Sequence, residues 1–408
     1  MKKIEMKNPV VELTGDEMAA VIWTMIREDL VKPYVELKTE TYDLSMMNRD
    51  KTEDAVTTEA GWAIRKNGVG IKCATITVNR EKMERYGLKA IYRSPNATVR
   101  EIIDGTIIRR PVVSPYVKPL VTSWVSPIVV ARHSFGDIYK SFSRVVPEGA
   151  KVSLMVDHAD GHQEVLPFEY FPGDGVVMVQ MNLDDSIRRF ADDCFRYALD
   201  EHLNLIFSTK DTVSKTYDAR FKEIFQELYE STYAQDFKDK NLTYRYMLID
   251  AASSMIVRSP GNLLWACKNY EGDVLGDLIA SGFGSSAMMS SELYGMDNSY
   301  EYEASHGTMP DLYQDHLSGK PTYVNPTSLI YAWANALEKR GNLDATPDLV
   351  TYAQALKSAV IDTVDEGHIT PDLKRQYTRE TYEITRTEDM IALIRQHLET
   401  RLKKAFSA

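Results

Sequence analysis

Apolar positions along the chain fall into short runs separated by amphipathic stretches. Residues 10–13 (Val-Val-Glu-Leu) read as a strand, Gly15-Asp16-Glu17 as a turn, and 18–30 as a helix with one apolar face. A second strand follows at 34–37, a helix at 58–66, and a third strand at 69–74. Strands alternating with helices of this length predict an α/β layer architecture. After Asp137 the texture changes. Residues 151–156 alternate, Asp160-Gly161 supplies a tight turn, 165–171 run on, and Pro172-Gly173-Asp174-Gly175 turns the chain again before 176–179. That pattern predicts a small β-rich insertion suited to an oligomer contact. Helical periodicity returns with Ile187, Phe190, Ala191, Cys194, Tyr197 and Ala198 on one face. A buried strand at 203–207 then leads into Ser208-Thr209-Lys210, and 247–257 read as a helix carrying Asp250. The apolar run 263–267 reads as another buried strand, Gly272 as a turn, and a helix is expected to open near Asp273. The last third is mostly helical.

Composition narrows the class. With 408 residues, 44% apolar and 26% charged, the chain has the make-up of a soluble globular protein, long enough for two or three domains. Its net charge of −11 argues against a nucleic-acid partner, and no apolar run is long enough to span a bilayer. The opening Met1-Lys2-Lys3-Ile4-Glu5-Met6-Lys7 lacks the apolar segment of a signal peptide, so a cytoplasmic setting is expected. Cys73, Cys194 and Cys267 are far apart and form no CxxC, which fits a reducing compartment and three small buried hydrophobes.

Four groups of residues could carry chemistry. Asp273 and Asp277 stand one helical turn apart on one face, an oxygen-only pair suited to Mg²⁺ or Mn²⁺. The same spacing also suits a solvated acidic first turn. Arg100, Arg109 and Arg132 would imply a polycarboxylate ligand if they converge, because guanidinium forks bind carboxylates in bidentate fashion. Arg132 and Tyr139 flank a glycine turn at Gly136. Lys210 ends an apolar run, where partial burial would make it a usable base. Gly282-Phe283-Gly284 through Ala287 fits a loose dinucleotide pattern but follows a helical stretch, and reads as packing or turn glycines.

The runs Lys72-Cys73-Ala74-Thr75-Ile76-Thr77, Ser94-Pro95-Asn96, Gly105-Thr106, Arg132-His133, Ser208-Thr209-Lys210, residues 265–273, His306-Gly307-Thr308 and Asn325-Pro326 together resemble the homodimeric isocitrate dehydrogenases, in order and over nearly the whole chain. The resemblance implies an α/β, isocitrate/isopropylmalate dehydrogenase-like two-domain fold with a β-rich clasp. A large domain would combine 1–103 and 283–408, a small domain 104–136 and 184–282, and the clasp 137–183. It implies a homodimer with shared active sites and the oxidative decarboxylation of isocitrate to 2-oxoglutarate. By the family pattern Thr77, Ser94, Asn96, Arg100, Arg109 and Arg132 would hold the substrate. Tyr139 would protonate the enol, and Lys210 of the partner subunit would act as base. Asp273 and Asp277 would bind the metal, joined across the interface by Asp250. Lys72, Thr75, Thr77, Lys82, His306, Gly307, Thr308, Met309, Asp311, Leu312 and Asn325 would line the nicotinamide cofactor.

The chain departs from the family pattern in two places. NADP-using members carry an Arg-His pair four and five residues after the glycine of His306-Gly307-Thr308, whereas this chain has Asp311 and Leu312. A carboxylate there would accept hydrogen bonds from free ribose hydroxyls and repel a 2′-phosphate, so the reading expects NAD. The alternative is an NADP enzyme with an unusual phosphate pocket, for which Lys82 and Arg258 are basic candidates. A non-catalytic polycarboxylate-binding relative is more remote. The second departure is Ala251, where relatives often have another aspartate.

Overall fold

A computed structural model describes residues 2–406. Ten strands form one mixed sheet: β1 (Val10–Thr14), β2 (Thr39–Asp43), β3 (Val69–Lys72), β4 (Gly105–Pro111), β5 (Ile128–His133), β6 (Asn204–Thr209), β7 (Tyr244–Leu248), β8 (Leu263–Cys267), β9 (Met289–Gly295) and β10 (Tyr300–Ala304). Their spatial order is β7-β6-β8-β5-β4-β9-β10-β3-β1-β2. The two flanks are parallel, while β5, β4, β9 and β10 run antiparallel to one another through the centre. Parallel strands must be covered on both faces, which explains why β5, β6 and β8 are almost entirely buried. The α/β fold expected from the sequence is the one observed.

Helices cover both faces. On one flank α1 (Glu17–Met25), α8 (Thr327–Leu343), α9 (Pro347–Glu366) and α10 (Thr387–Phe406) pack around Trp23, Trp333, Tyr352 and Leu356, while α2 (Ala55–Asn67) and α3 (Pro95–Ile103) cover the opposite face. On the other flank α4 (Asp184–Asp200) buries Phe190, Ala191, Cys194 and Phe195 against Phe207 and Phe225. Helix α5 (Ile249–Arg258) and α6 (Asn269–Phe283) close the remaining face with Ile256, Ile279 and Phe283. All three cysteines are buried and free. No helix among the described residues is long and apolar enough to cross a membrane.

Several local readings change. The first helix widens after Met25 into a π-helical segment, Ile26–Val31, which keeps Ile26, Leu30 and Val31 in the core. Residues 244–248 form an edge strand paired with β6, so the helix carrying Asp250 begins at Ile249. Gly272 is no turn. Helix α6 already starts at Asn269, and Gly272 lies inside it. The segment between Tyr139 and Asn182 forms two antiparallel pairs, Ser141–Val146 with Gly175–Gln180 and Lys151–Asp157 with Gln163–Tyr170. Their side chains are mostly exposed, including Phe142, Met155, Phe168 and Met178.

Candidate active site

The antiparallel centre of the sheet aims three arginines at one place. Arg109 comes from β4, Arg132 from β5 and Arg100 from α3, and all three are buried. Helix α6 lies against them through a glycine face. A methyl group on Gly272 would stand 2.7 Å from Arg132 Cβ, and one on Gly276 would stand 3.1 Å from Arg109 Cδ. Glycine at these two positions lets the helix come close enough for its next residues, Asp273 and Asp277, to meet the guanidinium groups. Arg109 Nη1 donates to Asp277 Oδ1 at 2.6 Å, and Arg132 Nη1 donates to Asp273 Oδ1. Both carboxylates remain substantially exposed, 47% and 66%, so they edge an open cup.

Tyr139 sits over this cup. Its phenolic oxygen accepts hydrogen bonds from Arg100 Nη1 at 2.7 Å and from Arg132 Nη2 at 2.9 Å. Gly136, at φ +70°, makes the turn that brings the tyrosine back, and any side chain there would collide with Asn182.

Two residues that complete the site, Glu303 and Asn269, had no role in the sequence reading. Glu303 on β10 accepts from Arg100 Nη2 at 2.5 Å and lies 3.8 Å from Lys72 Nζ. Burial acts to raise its carboxyl, but Arg100 and Lys72 outweigh that and hold it ionised well below the usual range. The side-chain oxygen of Asn269 receives two hydrogen bonds from Arg132, at 3.0 and 2.8 Å, and its backbone N–H donates to Asp137 at 3.1 Å. Burial and the neighbouring charge of Arg100 bring Arg132 down to about 10, while Glu303 keeps Arg100 above the ordinary arginine range against the cost of its burial. The available signal was the acid-rich Glu301-Tyr302-Glu303 in a strand leading into His306-Gly307-Thr308, since a charge buried in a sheet needs a partner.

Lys210 and Asp250 form a separate pair. Lys210 Nζ donates to Asp250 Oδ1 at 2.6 Å, which draws the aspartate below its usual range. Asp250 is well exposed, 64%, whereas Lys210, one residue beyond the end of β6, has the partial burial expected of it, its side chain 39% exposed. Among the described residues of one chain, no three His, Cys, Asp or Glu side chains converge as a metal site. Asp250 therefore does not join Asp273 and Asp277 within the same chain.

The remaining predicted residues divide into open and enclosed groups. Thr77 is exposed and Ser94 half-buried; Lys82 lies on the exposed helix Arg80–Tyr86, its ammonium on the Thr77 carbonyl at 3.3 Å. Gly307 is exposed, and Thr308 bonds Glu17 at 2.5 Å. Lys72, by contrast, is enclosed with its ammonium on the Cys73 carbonyl at 3.1 Å and beside Glu303. Asn325 is buried; it accepts from the Thr327 amide at the start of α8 and donates to Asp372. Met309 and Leu312 pack on the apolar core. Several buried polar atoms at the expected positions find no partner among the described residues: Thr75 Oγ1, Asn96 Oδ1, Arg100 Nε, Arg109 Nε and His306 Nε2.

Comparison with known proteins adds the chemistry of the relatives. The chain is 45% identical over 404 residues to "Isocitrate dehydrogenase [NADP], mitochondrial" of Aspergillus niger, covering 98% of this chain and 81% of that protein. It is 42% identical over 405 residues to "Isocitrate dehydrogenase [NADP]" of Sphingobium yanoikuyae, with 99% and 100% covered. A mitochondrial NADP enzyme of Sus scrofa is 41% identical over 374 residues, with 91% and 89% covered.

These relatives overturn the expectation of an NAD-dependent enzyme, which rested on Asp311 and Leu312. Asp311 is an exposed side chain in the first turn of helix α7 (Pro310–Leu317), where an acidic residue is an ordinary partner of the helix dipole, and Leu312 is a packing residue. Neither position by itself identifies a ribose contact. Residues 5–394 match the family described as "Isocitrate/isopropylmalate dehydrogenase", and the chain belongs to that family.

Proposed function

We propose that the protein is an NADP-dependent isocitrate dehydrogenase, which oxidises and decarboxylates isocitrate to 2-oxoglutarate and CO₂. The observation that carries the reading is the hydroxyl of Tyr139, held by Arg100 and Arg132 above the Asp273–Asp277 pair. Relatives named NADP isocitrate dehydrogenases at 41–45% identity support the substrate and the cofactor.

The donors present fit the groups this chemistry needs. Asp273 and Asp277 offer only oxygen, the ligand type for Mg²⁺ or Mn²⁺. Unpartnered Thr75 Oγ1 and His306 Nε2 suit the polar groups of a nicotinamide nucleotide. Half-buried Lys82 and exposed Arg258 are candidates for the 2′-phosphate. When bound, the metal would polarise the substrate's hydroxyl and then its carbonyl, and the nicotinamide would accept hydride.

The chain's own residues do the rest. Arg100, Arg109 and Arg132 hold the substrate carboxylates in register, so that orientation lowers the barrier, with Ser94, Asn96 and Thr77 at the edge. Lys210 of the partner subunit accepts the hydroxyl proton, and the partner subunit's Asp250 completes the set of acidic ligands. Tyr139 returns a proton to the carbon that loses CO₂. Sharing these residues requires a homodimer. A comparison of kcat/KM for NADP and NAD, with isocitrate and Mg²⁺, tests the cofactor. A clear NADP advantage is expected; an NAD advantage would overturn it.

A further inference from the structure

Strands β4, β9 and β10 have a second face. In their register Ser291 pairs with Arg109 and with Glu303, while Ser290 pairs with Arg110 and Glu292 with Tyr302. Arg109 and Glu303 therefore point to the arginine cup, and Arg110, Glu292 and Tyr302 point the opposite way. On that rear face, between α4 and α8, lies a cavity of about 500 Å³, the size of a small-ligand pocket.

Most charges around the cavity are already matched. Arg110 pairs with Glu201, and Lys357 with Glu338 at 2.5 Å. Glu292 accepts from the Asn335 amide at 2.9 Å and from the Tyr294 hydroxyl at 3.3 Å, and burial pushes its carboxyl up. Lys339 is the exception. Among the described residues it forms no ion pair and no hydrogen bond; its ammonium rests 4.1 Å from the ring centroid of Tyr300 and 5.6 Å from that of Tyr294. Burial pushes it down, opposed only by the more distant charges of Glu292, Glu338 and Asp200. The hydroxyls of Tyr302, itself 2% exposed, and of Tyr331 also find no hydrogen-bond partner among the described residues, and both residues line the cavity. An unpaired cation and unpaired phenols enclosed by tyrosine rings ask for an anion with a flat apolar body.

We propose that this rear cavity binds a small planar monocarboxylate, with its carboxylate on Lys339 and its body among the rings and hydroxyls of Tyr302 and Tyr331, which line the same cavity. The site is separate from the arginine cup and does not depend on the proposed activity.

Benzoate is the probe, with binding to the full chain followed by ligand-observed NMR and calorimetry. Saturable benzoate binding is expected, and Lys339→Gln should weaken it about tenfold or more, the loss of one charge-assisted contact. Tyr331→Phe should weaken it about threefold with the fold intact. Arg132→Gln, on the front face, should leave benzoate affinity unchanged. Benzylamine should not compete. No saturable benzoate binding overturns the proposal, as does binding lost in Arg132→Gln but kept in Lys339→Gln. Displacement by benzylamine overturns the anionic class. Should Lys339→Gln fail to fold, unchanged affinity in Tyr331→Phe overturns it.

Discussion

Arg132 and Tyr139 are joined by a 2.9 Å hydrogen bond from the guanidinium to the phenolic oxygen, and the guanidinium carbon lies 5.6 Å from the centre of the ring. With Arg100 on the same oxygen, the tyrosine is fixed in position while its proton stays available to the cup. Tyr139→Phe keeps the ring and removes the proton. We expect kcat to fall by about 10²- to 10⁴-fold, with a much smaller change in the KM for isocitrate. Steady-state kinetics decide this; an unchanged kcat would remove Tyr139 from proton transfer.

Gly272 allows α6 to approach the stem of Arg132. In Gly272→Ala the new methyl would sit within 3.0 Å of three Arg132 atoms, two of them 2.7 and 2.8 Å away. The helix must retreat, carrying Asp273 with it. The variant should lose about 1–3 kcal/mol in denaturant unfolding and need more Mg²⁺ for half-maximal activity. Unchanged stability and metal requirement would contradict the close approach.

The Lys210–Asp250 pair, set apart from the arginine cup, leads to a complementation experiment. If Lys210 serves the partner's site, Tyr139→Phe and Lys210→Met chains are each inactive alone. A heterodimer then holds one site with both residues intact. Random mixing by unfolding and refolding should recover about one quarter of wild-type activity. No recovery would place both residues in one chain's site.

His133 gives a pH dependence of stability. It is wholly buried, stacked on Phe190 at 4.9 Å with Nε2 2.9 Å from Ser186 Oγ, and burial pulls it from 6.5 to about 4 despite the opposing charge of Asp104; Arg189 adds to the drop. Its folded value is depressed, so between these limits the unfolded chain binds more protons. Stability is then full above about pH 6.5 and is lost as pH falls toward 4, by about 3 kcal/mol. Urea unfolding across that range should show the loss, and His133→Gln should flatten it by about one proton. A slope identical to wild type would contradict the assignment.

The sequence made the buried strands legible because both faces of the parallel flanks are covered. Residues 263–267 read as continuous apolar runs do, and β8 occupies those positions. Asp273 and Asp277 were legible as a pair from their spacing alone. Gly272 was misread because a glycine that serves close packing looks like one that serves a turn until its neighbour is known. Glu303 and Asn269 were invisible for a related reason: their partners, Arg100 and Arg132, lie 203 and 137 residues away in the chain. Asp311 shows a different limit. An acidic residue after a proline has a generic helix-start role, so its identity could not carry a cofactor assignment.

The most direct test of the account is product stoichiometry with isocitrate, NADP and Mg²⁺. NADPH by absorbance, CO₂ by trapping and 2-oxoglutarate by chromatography should appear in equal amounts. Absence of NADPH formation, or NADPH without CO₂, would contradict it.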